Sequence, residues 1–436
     1  MEDVIIARIP DAATYNLKNL STWLEKLKQS SPLEAQVTRT VLSKCEGSNE
    51  TEIIIDFMFS FMIILSTNEH LQDSPLADID LYLELLSSTN IDTLDTKYYS
   101  KETDRDFLCE VEVSKKEALH QKYNAIAEAV QELGFMVPSF DEYFHMSKVI
   151  KSRVLEIPHP VEENEQDFVV NTALVPLLDF ANHQEKSNAF FDVDKATGDV
   201  VLKYSAPPGL HEVCIQYSDV NYVQQFVTLY SFIPRGKVEV FEIKVDSDKI
   251  NECINKVQNT QNVRYDLIMK WLEILPTVQF IIIDDRVGIN HNHNPIPFWA
   301  IFSDKFKYVG WKGKVNIHSV NDPDVLVSGS SDESIEHMIE FQEERCDVIQ
   351  GFEKVAVEPP QINAENEEAA KEKFTVFIKM VCRDLCNTAD KIGLTKEYLE
   401  YKNRLFEKVL QMDDFNIQYV PVIDSWYQPN VIYNFI

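Results

Sequence analysis

Between Asn171 and Pro234 the chain orders a set of polar and aromatic residues that suits the handling of a cation. An apolar run ends in Asp179-Phe180-Ala181-Asn182-His183; the strand-like stretch VCIQY ends in Tyr217, and Tyr230 and Phe232 follow in LYSFIP. Tyrosine hydroxyls and backbone carbonyls can orient an amine and a methyl group through ordinary and weak C–H···O hydrogen bonds. Aromatic walls suit a cation or a methylammonium. Other chemistries lack their signatures, since GxGxxG, P-loop and GxSxG motifs are all absent. His291 and His293 in NHNHNP lack a clustered third ligand and read as polar loop residues, so no metal site is expected.

The order of these motifs resembles the C-terminal half of a SET domain, the catalytic fold of protein lysine methyltransferases. The closest type is the Rubisco large-subunit methyltransferase group, which includes fungal enzymes that modify ribosomal proteins, elongation factors and cytochrome c. The resemblance is specific over about residues 143–232. It implies S-adenosylmethionine as the cofactor and a protein lysine as the acceptor. Tyr217 matches the tyrosine that closes the active site, and Asp179, Asn182 and His183 match D-x-x-N-H, whose Asn-His pair meets the cofactor partly through backbone. Ser152-Arg153 matches an S-R pair whose arginine binds the cofactor's carboxylate; a surface ion pair is the competing reading of Arg153. Tyr230 and Phe232 match Y-G-F, with Tyr230 bordering the cofactor and Phe232 the lysine channel, although Phe232 reads equally well as a core aromatic.

Departures from the pattern are local. Ser231 stands where the family has glycine, and Tyr222-Val223 stand where it has a small residue and asparagine, with Asn221 the nearest asparagine. VIIARIP matches the family's opening strand, but only Met1, Glu2 and Asp3 precede it, so the family's glycine loop has no counterpart in these residues. Taken as complete, such a chain is expected to bind the cofactor poorly.

Composition sets wider bounds. A chain of 436 residues suggests two or three domains. The net charge of −30 argues against direct nucleic-acid binding and favours a basic protein partner, or serves only to keep the chain in solution. Seven scattered cysteines point to a reduced intracellular protein, cytoplasmic with the nucleus as a second compartment. MEDVIIARIP is too short and acidic for a signal peptide. The greasiest run, Ile53 to Leu65, is interrupted by Asp56 and falls short of the roughly 20 residues of a spanning helix, so a buried helix and no membrane partner are expected.

The elements that must position the motifs follow from periodicity. Val4–Ile9 reads as a strand, Asn19–Lys28 as a helix, and residues 31–145 as mainly helical, with Lys115–Leu133 carrying apolar residues at helical spacing. Short β-rich pieces then follow at Asp199–Lys203, Val213–Tyr217 and Val238–Val245, punctuated by Gly198-Asp199 and Pro207-Pro208-Gly209. Beyond Lys249 the chain reads as helical again. Its stripes run through Phe374, Phe377, Val381 and Leu385, and through Leu399, Leu405, Phe406 and Val409 behind a cap at Thr395; Pro359-Pro360 and Asn363–Glu368 read as a loop. The expected class is α+β: a β-rich SET fold over 1–245 with a helical insertion at about 31–145, then an all-α substrate-binding domain over 246–436. Two functions fit. One is lysine methylation of a basic non-histone protein, such as a ribosomal protein or elongation factor. The other is a catalytically silent SET-like scaffold that binds such a partner.

Overall fold

The computed structural model describes residues 4–302 and 364–418, apart from 46–47, 68–76, 95–106, 162–163, 206–211, 219, 262–264, 267–268, 270–273, 284, 291–297, 387–392 and 413–415. The loop expected at Pro207-Pro208-Gly209, the loop at Pro359-Pro360 and the histidines of NHNHNP lie outside the described residues.

The helical insertion expected at 31–145 is present. α1 (Leu17–Ser30) is capped by Asn16, whose side chain accepts the Asn19 N–H. α2 (Pro32–Leu42), α3 (Glu50–Thr67), α4 (Ala77–Ser87), α5 (Phe107–Gln131) and α6 (Phe140–Lys151) follow. α3 carries buried residues all round its axis, Ile54 through Phe61 without a break, which makes it the centre of the bundle. No described helix is long and apolar enough to cross a membrane. α6 opens with a reciprocal capping box in which Ser139 accepts the Glu142 N–H and Glu142 accepts the Ser139 N–H.

Among the described residues the strands form four sheets. β1 (Val4–Ile9) pairs antiparallel with β6 (Val200–Tyr204), which pairs with β5 (Ala189–Val193). β2 (Leu155–Val161) and β3 (Asn164–Ala173) form an antiparallel ribbon. β4 (Asn182–His183) and β7 (Cys214–Ile215) form a short parallel pair. β8 (Asn221–Tyr222) leads through the helical turn α7 (Val223–Gln225) and a π-helical turn (Phe226–Tyr230) to β9 (Val238–Lys244). Around the site, Ile157, Val175, Leu178, Val200, Leu202 and Ile215 build a compact apolar cluster.

Mixed α+β architecture stands, but the wholly helical region expected after residue 246 does not. After α8 (Ser247–Gln258), β10 (Thr277–Ile283) and β11 (Arg286–Asn290) form a hairpin. With β12 (Asn416–Gln418) they join β9 and β8 in a five-stranded sheet of order β12-β11-β10-β9-β8. The physical cause is the β-branched run Thr277-Val278-Gln279-Phe280-Ile281-Ile282-Ile283, whose stiff side chains favour a pleated surface over a helix. α10 (Gly393–Gln411) packs its predicted stripe on this sheet, with Phe406 against Phe241 and Phe280, while α9 (Ala364–Leu385) sets Phe374 and Phe377 against Phe298 and Phe302 of the 3-10 turn Phe298–Phe302. α9 takes in the acidic stretch expected as loop, and Thr395 sits buried inside α10 rather than capping it.

One buried carboxylate braces the insertion. Asp56 on α3 has no exposed surface. It accepts hydrogen bonds from Tyr143 Oη on α6 at 2.6 Å and from the Cys45 thiol at 2.6 Å, and pairs with Lys122 on α5 at 2.5 Å. Burial pushes the Cys45 thiol up to about 12, so it remains a neutral donor. Asp56→Ala strands a lysine and a tyrosine without their partner. It is expected to cost about 3–5 kcal/mol, read as a lowered urea midpoint with unchanged slope. A loss below about 1 kcal/mol would show that the brace contributes little.

Candidate active site

Sequence places the D-x-x-N-H segment directly after an apolar run, and the fold shows why it stops there. Leu177 adopts a positive φ of 72° and turns the chain into a single 3-10 turn, Leu178–Phe180. β4 then lies parallel to β7, with His183 beside Ile215, and this pairing brings Tyr217 back over the segment. Two hydrogen bonds fix the crossing. The Tyr217 N–H donates to His183 Nδ1 at 3.1 Å, and the Tyr217 hydroxyl donates to the Ala181 carbonyl at 2.8 Å.

The aromatic residues converge. Tyr217 and Tyr230 have ring centroids 4.6 Å apart, and the His183 ring lies 5.2 Å from Tyr217 and 6.1 Å from Phe232. Phe226, which sequence reasoning missed, sits at the middle of the group, 5.0 Å from His183, 5.2 Å from Tyr230 and 5.4 Å from Phe232. Its spacing of four from Tyr230 was the available signal, because helical i and i+4 positions share a face. Burial raises both tyrosine pKa values, Tyr230 to about 12, so each keeps its proton at neutral pH.

Asp179 and Arg153 form the polar floor. Asp179 is 5% exposed. Tyr82, on α4, donates its hydroxyl to Asp179 Oδ2 and stacks on Tyr15 at 5.3 Å. Arg153 donates to the Asp179 carbonyl at 2.9 Å, and its guanidinium lies 3.7 Å from the centre of the Phe180 ring. Arg153 is therefore part of the site's framework rather than of an exposed ion pair. Burial outweighs the hydrogen bond from Tyr82 and the charge of Arg153, and lifts the Asp179 carboxyl to about 7. Nothing in the sequence singled out Tyr82, because its role depends on how the inserted helices dock.

Asn182 differs from its neighbours. Its side chain is exposed and donates to Glu212 Oε1 at 2.6 Å, so it faces away from the aromatic group and offers the site its backbone alone. Ser231 has a left-handed φ of 63°, the conformation that glycine adopts at least cost, and its hydroxyl donates to the Asp92 carbonyl.

Within the site, the buried polar atoms Arg153 Nε, His183 Nε2 and Asp179 Oδ1 have no hydrogen-bond partner among the described residues. Because His183 Nδ1 accepts a hydrogen bond, the neutral ring carries its proton on Nε2, and burial lowers the ring's pKa. The site thus holds two unused donors and one unused carboxyl oxygen beside aromatic faces. That set fits a ligand bearing a carboxylate, an amino group and a cationic centre.

Proteins similar in sequence are lysine N-methyltransferases by name. Cytochrome c lysine N-methyltransferase 1 of Saccharomyces cerevisiae is 27% identical over 302 residues, covering 64% of this chain and 49% of the relative. The proteins of the same name from Eremothecium gossypii and Candida glabrata are 31% identical over 156 residues and 36% over 146. These matches cover 34% and 30% of this chain, and 32% and 26% of the relatives. The family model for cytochrome c lysine N-methyltransferase 1 matches residues 1–298, and the chain belongs to this family. It spans about half the length of the yeast relative or less of the others. The solved structure of Rubisco LSMT bound to AdoMet aligns with 96% of this chain and 86% of its own at 14% identity, with a TM-score of 0.43.

The raised Asp179 pKa has a signed consequence. Its folded value of about 7 exceeds the ordinary 3.8, so between those values the folded chain holds more protons than the unfolded one. Stability therefore falls as pH rises from about 4 to 7 and levels off above. Asp179→Asn keeps the shape of the protonated group and removes this slope. Its melting temperature relative to wild type is expected to climb from pH 5 to pH 8; a constant difference would show that Asp179 is ionised throughout.

Proposed function

We propose that this chain transfers a methyl group from S-adenosylmethionine to a lysine of cytochrome c. The carrying observation is the aromatic enclosure of Tyr217, Tyr230, Phe226, Phe232 and His183, with the Tyr217 hydroxyl fixed on the Ala181 carbonyl at 2.8 Å. Membership of the cytochrome c lysine N-methyltransferase 1 family supports cytochrome c over the ribosomal proteins and elongation factors that the sequence resemblance also allowed.

The chemistry divides among the residues as follows. S-adenosylmethionine supplies an electrophilic methyl group on a sulfonium. Arg153 and His183 Nε2 are the donors left to hold it, and the backbone of Asn182 lies beside them. A free lysine has a pKa near 10.4 and reacts only as the neutral amine. A dry aromatic channel disfavours the ammonium and so favours proton loss before transfer. Tyr217 keeps its own proton, since burial raises its pKa; it orients the amine rather than deprotonating it. Aromatic faces then attract the charged methylammonium product. A chain with net charge −30 attracts a basic protein, with an on-rate that falls as salt rises. Free thiols, buried at Cys214, Cys253 and Cys382, suit the reducing cytoplasm, where we place this activity.

Tyr217→Phe removes one preorganised polar contact and leaves the aromatic face. It is expected to lower kcat on the order of 10²-fold while the affinity for S-adenosylmethionine stays the same. Single-turnover transfer of labelled methyl to cytochrome c, beside calorimetric titration of the cofactor, measures both. Near-normal turnover would move the orienting role to another residue. A wild-type chain that binds cytochrome c but transfers no methyl would instead support the silent scaffold.

A further inference from the structure

A cavity of about 700 Å³ opens beside the aromatic site. Phe232 belongs to both: its ring packs on Phe226 in the enclosure, and it also lines this cavity, followed by Ile233, Pro234 and Arg235. The remaining walls are Glu239 on β9, Ile282 and Val287 on the β10–β11 hairpin, and one face of α10. That face carries Glu397, Glu400, Tyr401, Arg404, Leu405 and Lys408, at the i, i+3, i+4, i+7 spacing of a helix stripe. At 1.5 Å per residue the stripe is about 16 Å long, enough to lie along roughly five residues of extended chain.

We propose that this groove receives the stretch of the protein substrate that flanks the target lysine, with a basic side chain of that stretch on Glu397 and Glu400. The inference rests on the methyl-transfer reading for the identity of the occupant. Its first ground is continuity. Any chain that threads a lysine past Phe232 must continue along a surface next to Phe232, and the groove is that surface.

The second ground is the disposition of charge. Asp285 and Lys408 pair with each other at 2.5 Å and largely cancel. Glu239 is held in place, accepting the Tyr401 hydroxyl at 2.7 Å and the Gly236 N–H at 3.2 Å. The Glu397 carboxylate has no partner among the described residues, and the Glu400 carboxylate meets the exposed Lys396 at 3.8 Å. One turn further along the stripe, Arg404 Nε donates to the Glu400 carbonyl, and the exposed Arg235 lines the wall that follows Phe232. The groove therefore has an acidic pole of carboxylates open to a new cation, an apolar and phenolic floor, and an arginine pole. A lysine-rich protein segment supplies the missing cation for the first pole and backbone carbonyls for the second.

The test uses the full chain and cytochrome c. Glu397→Gln/Glu400→Gln removes two exposed charges and leaves the fold alone. Glu128→Gln/Glu132→Gln, at exposed positions on and just after α5, removes the same charge elsewhere. Binding of cytochrome c is measured by calorimetry at fixed low salt, and methyl transfer is measured in parallel. The groove pair is expected to raise Kd and KM about tenfold with kcat and S-adenosylmethionine affinity unchanged, while the control pair changes neither by more than about twofold. Equal effects of the two pairs, or no effect of the groove pair, overturn the groove as docking site. So does a wild-type chain that binds no cytochrome c. If wild type binds cytochrome c and the groove pair weakens that binding, but no methyl is transferred, the groove stands and the catalytic reading falls.

Discussion

A carboxylic acid enclosed where water does not reach organises the centre of this molecule. Asp179 is held from the insertion side by Tyr82, while Arg153 clamps its main chain and covers Phe180. Those contacts determine the path of the next four residues. From that path follow the Ala181 carbonyl under the Tyr217 hydroxyl and the His183 imidazole under the Tyr217 amide. The aromatic enclosure is thus set by a polar anchor one layer beneath it. Charged floors under apolar pockets are costly to bury, and here burial lifts the carboxyl to about 7, so that it takes up a proton far more readily than an exposed aspartate.

The inserted helices take part in the site as well as covering it. Tyr82 lies on α4, and Lys148 on α6 donates to the Thr228 carbonyl at 3.4 Å, in the π-helical turn that carries Phe226 and Tyr230. Lys148 also pairs with buried Glu112 on α5 at 2.5 Å. A π-helical turn leaves carbonyls without their usual α-helical donors, and a lysine from another element takes up one of them. Movement of the insertion against the sheets would therefore disturb both the anchor under β4 and the turn that carries the rings.

Much of this was readable in the chain. The helical stripes of the insertion and the strand at Val4–Ile9 follow from periodicity, and the grouping of His183, Tyr217, Tyr230 and Phe232 was implied by the resemblance to a SET domain. What escaped depends on long-range contact. Thr277–Ile283 sits in a stretch otherwise helical by pattern, and only its β-branched composition marks it as a strand. Asn182 shares a motif with His183, yet its side chain turns outward to Glu212, a partner 30 positions away that no local spacing reveals. Tyr82 reads as one more apolar-stripe residue until α4 docks against the Asp179 turn.

Ser231 constrains how this sequence can drift. Its backbone sits where glycine is most at ease, but its hydroxyl tethers the segment after α4 to the turn between Tyr230 and Phe232. Substitution by glycine relaxes the backbone and cuts the tether; a β-branched residue loses the tether and strains the backbone as well. Lineages can therefore pass between serine and glycine here without a steep valley, while valine or isoleucine closes that route.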